Sequence, residues 1–184
     1  IEGFSSLLEK QFADGGDAQT RHQIDVIRRS ALRLTHMIDA LLKYSRREQQ
    51  DLPRQRFNVL EMITTLITDR FSGLQGPKPK IQVALPFADL YGEPVSIRQA
   101  IANLLDNAAK FSRHASPPTI IIGGTRMEHE RILWVQDNGI GFDPSHYDKI
   151  FGLFERLHSP QEYEGTGAGL AIVKLVMDKH DGRV

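Results

Sequence analysis

The chain contains no cysteine. Disulfides and thiolate zinc sites are thereby excluded, and a cytoplasmic location fits such usage. Net charge is missing too: Lys+Arg and Asp+Glu number 23 each in 184 residues, so no electrostatic footprint invites nucleic acid or anionic lipid. No apolar run approaches the roughly twenty residues of a membrane span. No signal peptide, internal repeat or low-complexity tract is visible, so no membrane contact is expected within these residues. The seven histidines lack partners at metal-ligand spacing.

What the chain does contain is a set of short polar motifs in a fixed order. The first is Asn103-Leu104-Leu105-Asp106-Asn107-Ala108-Ala109-Lys110. Residues three and four apart share a helix face, so Asn103, Asn107 and Lys110 can point at one ligand. An Asn carbonyl is a neutral hard ligand suited to Mg²⁺, and a Lys one turn on can meet a phosphate as a point charge. The spacing alone does not decide this, because Asn on an amphipathic helix is often only a solvated amide.

The second motif is Trp134-Val135-Gln136-Asp137-Asn138-Gly139-Ile140-Gly141. The apolar run Ile132–Val135 reads as a buried strand broken by a glycine turn. Asp137 at its end is an acceptor suited to the exocyclic amine of adenine, and Gly139 and Gly141 let backbone approach a flat base. An ordinary Asp-Asn-Gly turn between strands would look the same.

The third is Gly165-Thr166-Gly167-Ala168-Gly169-Leu170, running into apolar residues at helical spacing. Amides of a glycine nest at a helix start bind phosphate without a cationic side chain. No Gly-Lys-Ser/Thr ending follows and no strand immediately precedes, which excludes the two common phosphate loops.

Together these blocks resemble the N, G1 and G2 boxes of the sensor histidine kinases, whose ATPase superfamily includes gyrase, the ninety-kilodalton heat-shock chaperone and the mismatch-repair ATPases. Ile150–Arg156 resembles the F box of the mobile lid. The resemblance implies ATP and Mg²⁺ as cofactors. Asn107 would hold the metal, Lys110 would touch the phosphates, and Asp137, with Gly139 and Gly141, would receive adenine. Gly165, Thr166, Gly167, Ala168, Gly169 and Leu170 would hold the triphosphate end. Asn103 replaces the Glu with which hydrolysing members activate water, and a carboxamide cannot take that proton. Asn103 and Lys110 are therefore the expected catalytic residues of a kinase that holds ATP for another nucleophile, rather than of a gyrase-type hydrolase.

The N-terminal quarter points the same way. Ile24, Ile27, Ala31, Leu34, Ile38 and Leu41 form a heptad seam. Val26, Met37, Leu42 and Tyr44 widen it toward bundle packing. Residues 1–50 are thus expected to be a helical hairpin that dimerises into a four-helix bundle, with Ser45–Arg56 as a hinge. Residues 51–184 are expected to be an α/β sandwich with helices on one face of a mixed sheet, giving an α+β chain overall. Its expected elements are a strand Arg56–Val59, a helix capped by Asn58 through about Phe71, and a strand Ile81–Leu85. Helix Ser96–Ser112, strands Thr119–Gly123 and Arg131–Gln136, an irregular lid Asp143–Glu164 and helix Ala168–His180 complete the list.

One departure from the family matters. Ile1, Gly3 and Phe4 match the tail of the phosphoacceptor pattern, which puts the acceptor His nine positions before Ile1. His22 and His36 fall on the outer face of the seam, and no visible histidine is promoted to that role. Both ends read as cut. The expected function is a protein-histidine kinase core of a two-component system, with a homodimeric hairpin, an upstream sensor domain and a response-regulator receiver as partners. The alternative is a kinase-like regulatory module that binds ATP without autophosphorylating. The wording around Arg156–Pro160 and Glu162–Gly165 resembles kinases attached to phytochrome- or PAS-type sensors.

Overall fold

The computed structural model describes residues 53–73, 78–157, 162–163 and 165–184. The chain divides into two units, Ile1–Gln49 and Gln50–Val184. The expected hairpin, heptad seam and dimer contacts lie outside the described residues, as does the His158–Gln161 part of the lid.

Strand β1 (Gln55–Asn58) leads into helix α1 (Val59–Phe71), and Asn58 Oδ1 accepts the Glu61 amide at 3.0 Å. An Asn here satisfies an amide that the first helical turn leaves orphaned. Strands β2 (Lys80–Ala84) and β3 (Asp89–Gly92) precede the long helix α2 (Pro94–Ser112). Then come β4 (Thr119–Arg126), β5 (Arg131–Asp137), a 3₁₀ turn Pro144–His146 and helix α3 (Gly169–Lys179). Strands β2, β4 and β5 form a mixed sheet, parallel between β2 and β4 and antiparallel between β4 and β5, while β1 pairs antiparallel with β3. Among the described residues, no helix is long and apolar enough to cross a membrane.

The core lies between the sheet and the helices. Val59, Ile63 and Leu66 of α1, Ile101 and Leu105 of α2, and Ile120 and Ile122 of β4 are at most 3% exposed. Removing such side chains from water is the main term that holds the domain together. The opposite sheet face carries the half-exposed Ile132 and Trp134. The α+β class with helices against a mixed sheet is thus the one expected from the sequence.

Several boundaries differ from expectation. Strand β1 starts one residue early, at Gln55 of the expected hinge, and Val59 opens α1 instead of ending the strand, while β3 has no counterpart in the sequence pattern. Helix α2 begins at Pro94, two residues early. Glu93 caps it by accepting from both Val95 N (2.9 Å) and Ser96 N (2.6 Å), with Pro94 at a position that needs no donor. Strand β4 continues through Gly123 and Gly124 to Arg126 instead of stopping at Gly123. A Cβ at Gly123 would lie 2.1 Å from the Trp134 indole, so that glycine admits a large cross-strand ring and does not end the strand.

Helices α2 and α3 are fastened to each other near both ends of α3. At one, Asn103 Nδ2 donates to Gly169 O (3.1 Å), the first residue of α3. At the other, His180 Nε2 accepts from Glu93 N (2.8 Å), so its Nδ1 carries the proton directed at Val176 O (2.7 Å). The first clamp fixes the start of α3 against the polar stripe of α2, and the second holds its far end against the start of α2.

Candidate functional site

A cavity of about 590 Å³ opens between α2, the end of β5 and the start of α3. Its lining includes Asn103, Asn107, Lys110, Asp137, Gly141, Gly165, Thr166, Gly167, Gly169 and Leu170. The structure therefore brings the three polar motifs to one place, although they lie far apart in the chain. Gly139 and Ala168 are not on the cavity wall. A Cβ at Gly139 would sit 2.5 Å from Phe111 O, and Ala168 is buried behind the loop.

The polar stripe follows from helix geometry. Ile101, Leu105, Ala108 and Ser112 face the core at steps of four, three and four. Asn103, Asn107 and Lys110 run beside them and are half-buried. Asn103 has both ends of its amide engaged: Oδ1 accepts from Gln99 Nε2 (3.0 Å) while Nδ2 holds Gly169 O. Gly169 lies close enough that a Cβ there would stand 3.8 Å from Asn107 Nδ2. The loop thus comes into contact range of the stripe at this point.

At the opposite end, Asp137 closes β5 and pairs in register with Ile120. Its Oδ1 accepts the Gly139 amide at 2.8 Å, which leaves its other oxygen to accept a further bond. Asn138 staples the adjoining backbone, accepting from Thr119 N (2.8 Å) and donating to Pro117 O (2.9 Å). Gly141 has φ +64°, where glycine is unstrained.

The glycine loop opens α3. Gly165 (φ +143°) and Gly167 (φ +75°) adopt backbone that L-residues avoid, and Gly167 O accepts from Phe154 N at 3.1 Å. Ala168 at the helix start has no side-chain cap, so the first amides of α3 keep no side-chain acceptor of that kind. Arg156 donates to Gly165 O (2.7 Å) and to Tyr163 O, and Arg113 donates to Glu162 O.

Two further cations surround Lys110 at this end, where Glu155 also lines the cavity. Burial holds the Lys110 ammonium below the usual lysine range, and the Arg156 and Arg113 guanidiniums push it further the same way. A site that crowds cations around a half-buried lysine favours an anion. Arg156, Arg113, Phe111 and Tyr163 went unassigned in the sequence reading. Family likeness alone touched Arg156 and Tyr163, without giving either a role, and no spacing rule links residues drawn from a helix end and a long loop.

The chain matches the family described as histidine kinase-, DNA gyrase B-, and HSP90-like ATPase over residues 92–184. It is 33% identical over its whole length to cyanobacterial phytochrome A of Nostoc sp., and 30% identical to the phytochrome-like protein Cph1 of Synechocystis sp.. It spans 24% of the length of each of these relatives. Among solved structures, it resembles the mycobacterial sensor histidine kinase MprB with a TM-score of 0.58 and 26% identity, over 70% of this chain and 81% of that one. The Acinetobacter baumannii histidine kinase AdeS shares the fold with a TM-score of 0.67 at 21% identity, over 96% of this chain and 83% of that one. With just over half of its length matched by the family model, the chain belongs to the histidine kinase-, DNA gyrase B- and HSP90-like ATPase family and carries the ATP-binding catalytic domain of a sensor histidine kinase.

Proposed function

We propose that residues 51–184 bind ATP–Mg²⁺ and deliver its γ-phosphoryl group to a histidine imidazole, from which it passes to an aspartate of a response-regulator receiver. In this reading residues 1–50 form the dimerisation hairpin, the acceptor His lies upstream of Ile1, and a sensor domain lies further upstream. The observation that carries the reading is the convergence of the Asn107–Lys110 stripe, Asp137 and the Gly165–Leu170 loop on one cavity.

The residues present fit the group. Asp137 accepts the adenine amine and orients the base. Lys110, crowded by two guanidiniums, gains a counter-charge when phosphates arrive. Amides of the glycine loop would donate to phosphate oxygens, Ala168 N being the one that already donates to Thr166 Oγ1. Asn107 offers a neutral oxygen to magnesium, and among the described residues no three His, Asp or Glu side chains converge on a metal site. Magnesium, when bound, supplies neutralisation of charge on the β- and γ-phosphates. Asn103 contributes by what it does not do. Its amide cannot abstract a proton, so it activates no water and leaves the triphosphate intact for a protein nucleophile.

Calorimetry of ATP–Mg²⁺ binding tests this assignment. Asp137→Asn faces adenine's donor with a partly donating edge, and Asn107→Ala removes a metal oxygen. Each is expected to weaken binding by about 2 kcal/mol, roughly thirtyfold. Parent-like affinity in both variants would show that the site is assigned wrongly.

A further inference from the structure

At one edge of the cavity, Lys110, Phe111 and Tyr163 line the wall and Arg113 stands behind them, so that two stacked rings are flanked by a cation on each side. Lys110 Nζ lies 4.1 Å from the centroid of Phe111. The Phe111 ring lies 5.2 Å from Tyr163 at 46°. The Arg113 guanidinium carbon lies 4.8 Å from the Tyr163 centroid. Tilted rings at this separation attract, as do cations over ring faces. Three members come from the last turn of α2 and its C-cap. Tyr163 alone arrives from the segment that leads into the glycine loop, and it is only 6% exposed.

The backbone beside Tyr163 is held in the same place. Arg113 donates to Glu162 O, and Arg156 donates to Tyr163 O and to Gly165 O. A Cβ at Gly165 would lie 3.4 Å from Lys110 Nζ, so this approach to the loop sits directly against the lysine. Ring, carbonyls and ammonium form one connected contact between the loop's entrance and the end of α2.

We propose that Tyr163 is a positioning residue: its ring, wedged between Phe111 and Arg113, fastens the entrance of the Gly165–Leu170 loop onto α2 and so sets how long a triphosphate stays in the cavity. The proposal rests on the nucleotide reading above. Tyr163 acts through two neighbours. It backs the Phe111 ring on which Lys110 rides, and it keeps Gly165 facing that lysine. Without the ring, the phosphate end loosens while Asp137 and its strand end are untouched. Triphosphate release should therefore change, and binding of the base alone should not.

The test uses the 184-residue chain, a fluorescent ATP analogue with Mg²⁺ in stopped-flow release experiments, and adenosine in NMR titrations. Tyr163→Ala is expected to release the triphosphate roughly tenfold faster, as it loses the ring contacts with Phe111 and His114 and the cation–ring contact with Arg113. Adenosine affinity is expected to stay at the parent value. Tyr163→Phe keeps all three contacts of the ring and is expected to release the analogue within about twofold of the parent. Combining Tyr163→Ala with Arg113→Ala is expected to add little, because the two residues act on one contact. Nζ titration in Tyr163→Ala is expected to move Lys110 back toward the ordinary lysine range. Parent-like release from Tyr163→Ala, or adenosine weakened by the same factor as the triphosphate, overturns the proposal alone. A parent that binds no nucleotide overturns the site reading and the proposal with it. If Tyr163→Ala does not fold, Arg113→Ala carries the test, with release several-fold faster expected and an unchanged rate fatal.

Discussion

The two ends of the cavity are built in opposite ways. The end around Asp137 stands on a strand terminus: Asp137 sits in β-ladder register, Gly139 packs on the last turn of α2, and Asn138 ties β5 back to the start of β4. The end around Gly165–Leu170 hangs on side chains that reach for carbonyls, namely Asn103 for Gly169, Arg156 for Gly165 and Tyr163, and Arg113 for Glu162. Backbone ladders and buried packing open only at free energies near that of global unfolding, whereas exposed side-chain straps open locally and cheaply. On the proposed nucleotide reading the two ends would divide the work: the rigid end would recognise the base, and the strapped end would hold and release the phosphates.

The severest way to break this contrast is to damage the rigid end. At Gly139 any Cβ would stand 2.5 Å from Phe111 O and 2.6 Å from its carbonyl carbon, both backbone atoms of α2. Neither can yield without moving the helix that carries Asn107 and Lys110. Gly139→Ala is expected to cost about 3 kcal/mol of stability and to abolish measurable nucleotide binding. Gly141 offers a control, since a Cβ there meets nothing within 4 Å and only its φ of +64° is strained. Gly141→Ala is expected to cost about 1 kcal/mol. Equal melting midpoints for the two variants would remove the claim that the base end is set by packing.

The rigid end was also the more legible one. A strand-length apolar run stopped by Asp137-Asn138-Gly139 carries its own signal, and β5 ends at Asp137, one residue beyond the expected Gln136. Asn58 before an apolar period likewise announced α1. Legibility failed where an element depends on partners distant in sequence. Glu93 is not among the usual capping residues, yet both its oxygens cap α2, and the adjoining backbone is held by His180 from the far end of the chain. The Gly123-Gly124 pair looks like a strand's end. Only the facing Trp134 indole explains Gly123, and only Ile132 O, Leu85 and Phe87 explain Gly124. Arg113, Arg156 and Tyr163 obey no local period at all, because their geometry exists only once the loop has folded back on α2.

A gentler break loosens the strapped end. Asn103→Asp keeps size and can still accept from Gln99, but a carboxylate cannot donate to Gly169 O and repels it. The start of α3 should drift from α2, with triphosphate affinity falling by about 1.5 kcal/mol, roughly tenfold, and base affinity little changed. Calorimetry with ATP–Mg²⁺ and with adenosine reads both numbers. A matched loss for the two ligands would mean that the ends are not independent.

The smallest effect sharpens the comparison through pH. In the folded chain Lys110 is held below its ordinary range, first by burial and then by Arg156 and Arg113. The unfolded chain therefore binds more protons between the depressed value and the ordinary one, and stability rises with pH across that alkaline window. Below the window both states carry the proton, and the penalty for burying the charge is present in full. Above it both states are neutral and the penalty is gone. Lys110→Met removes the charge at every pH, so it is expected to be the more stable protein at neutral pH, by a few tenths of a kcal/mol once solvent screening is allowed for. That advantage should shrink as pH climbs through the window. The same variant should bind triphosphate more weakly if the ammonium that destabilises the empty cavity is, as proposed, the one that meets the phosphates. Thermal melting at neutral and alkaline pH, paired with ATP titration at neutral pH, checks both signs. A variant less stable than the parent at neutral pH would show that Lys110 serves the fold and not the anion. An advantage that grows with pH would contradict the direction of its shift.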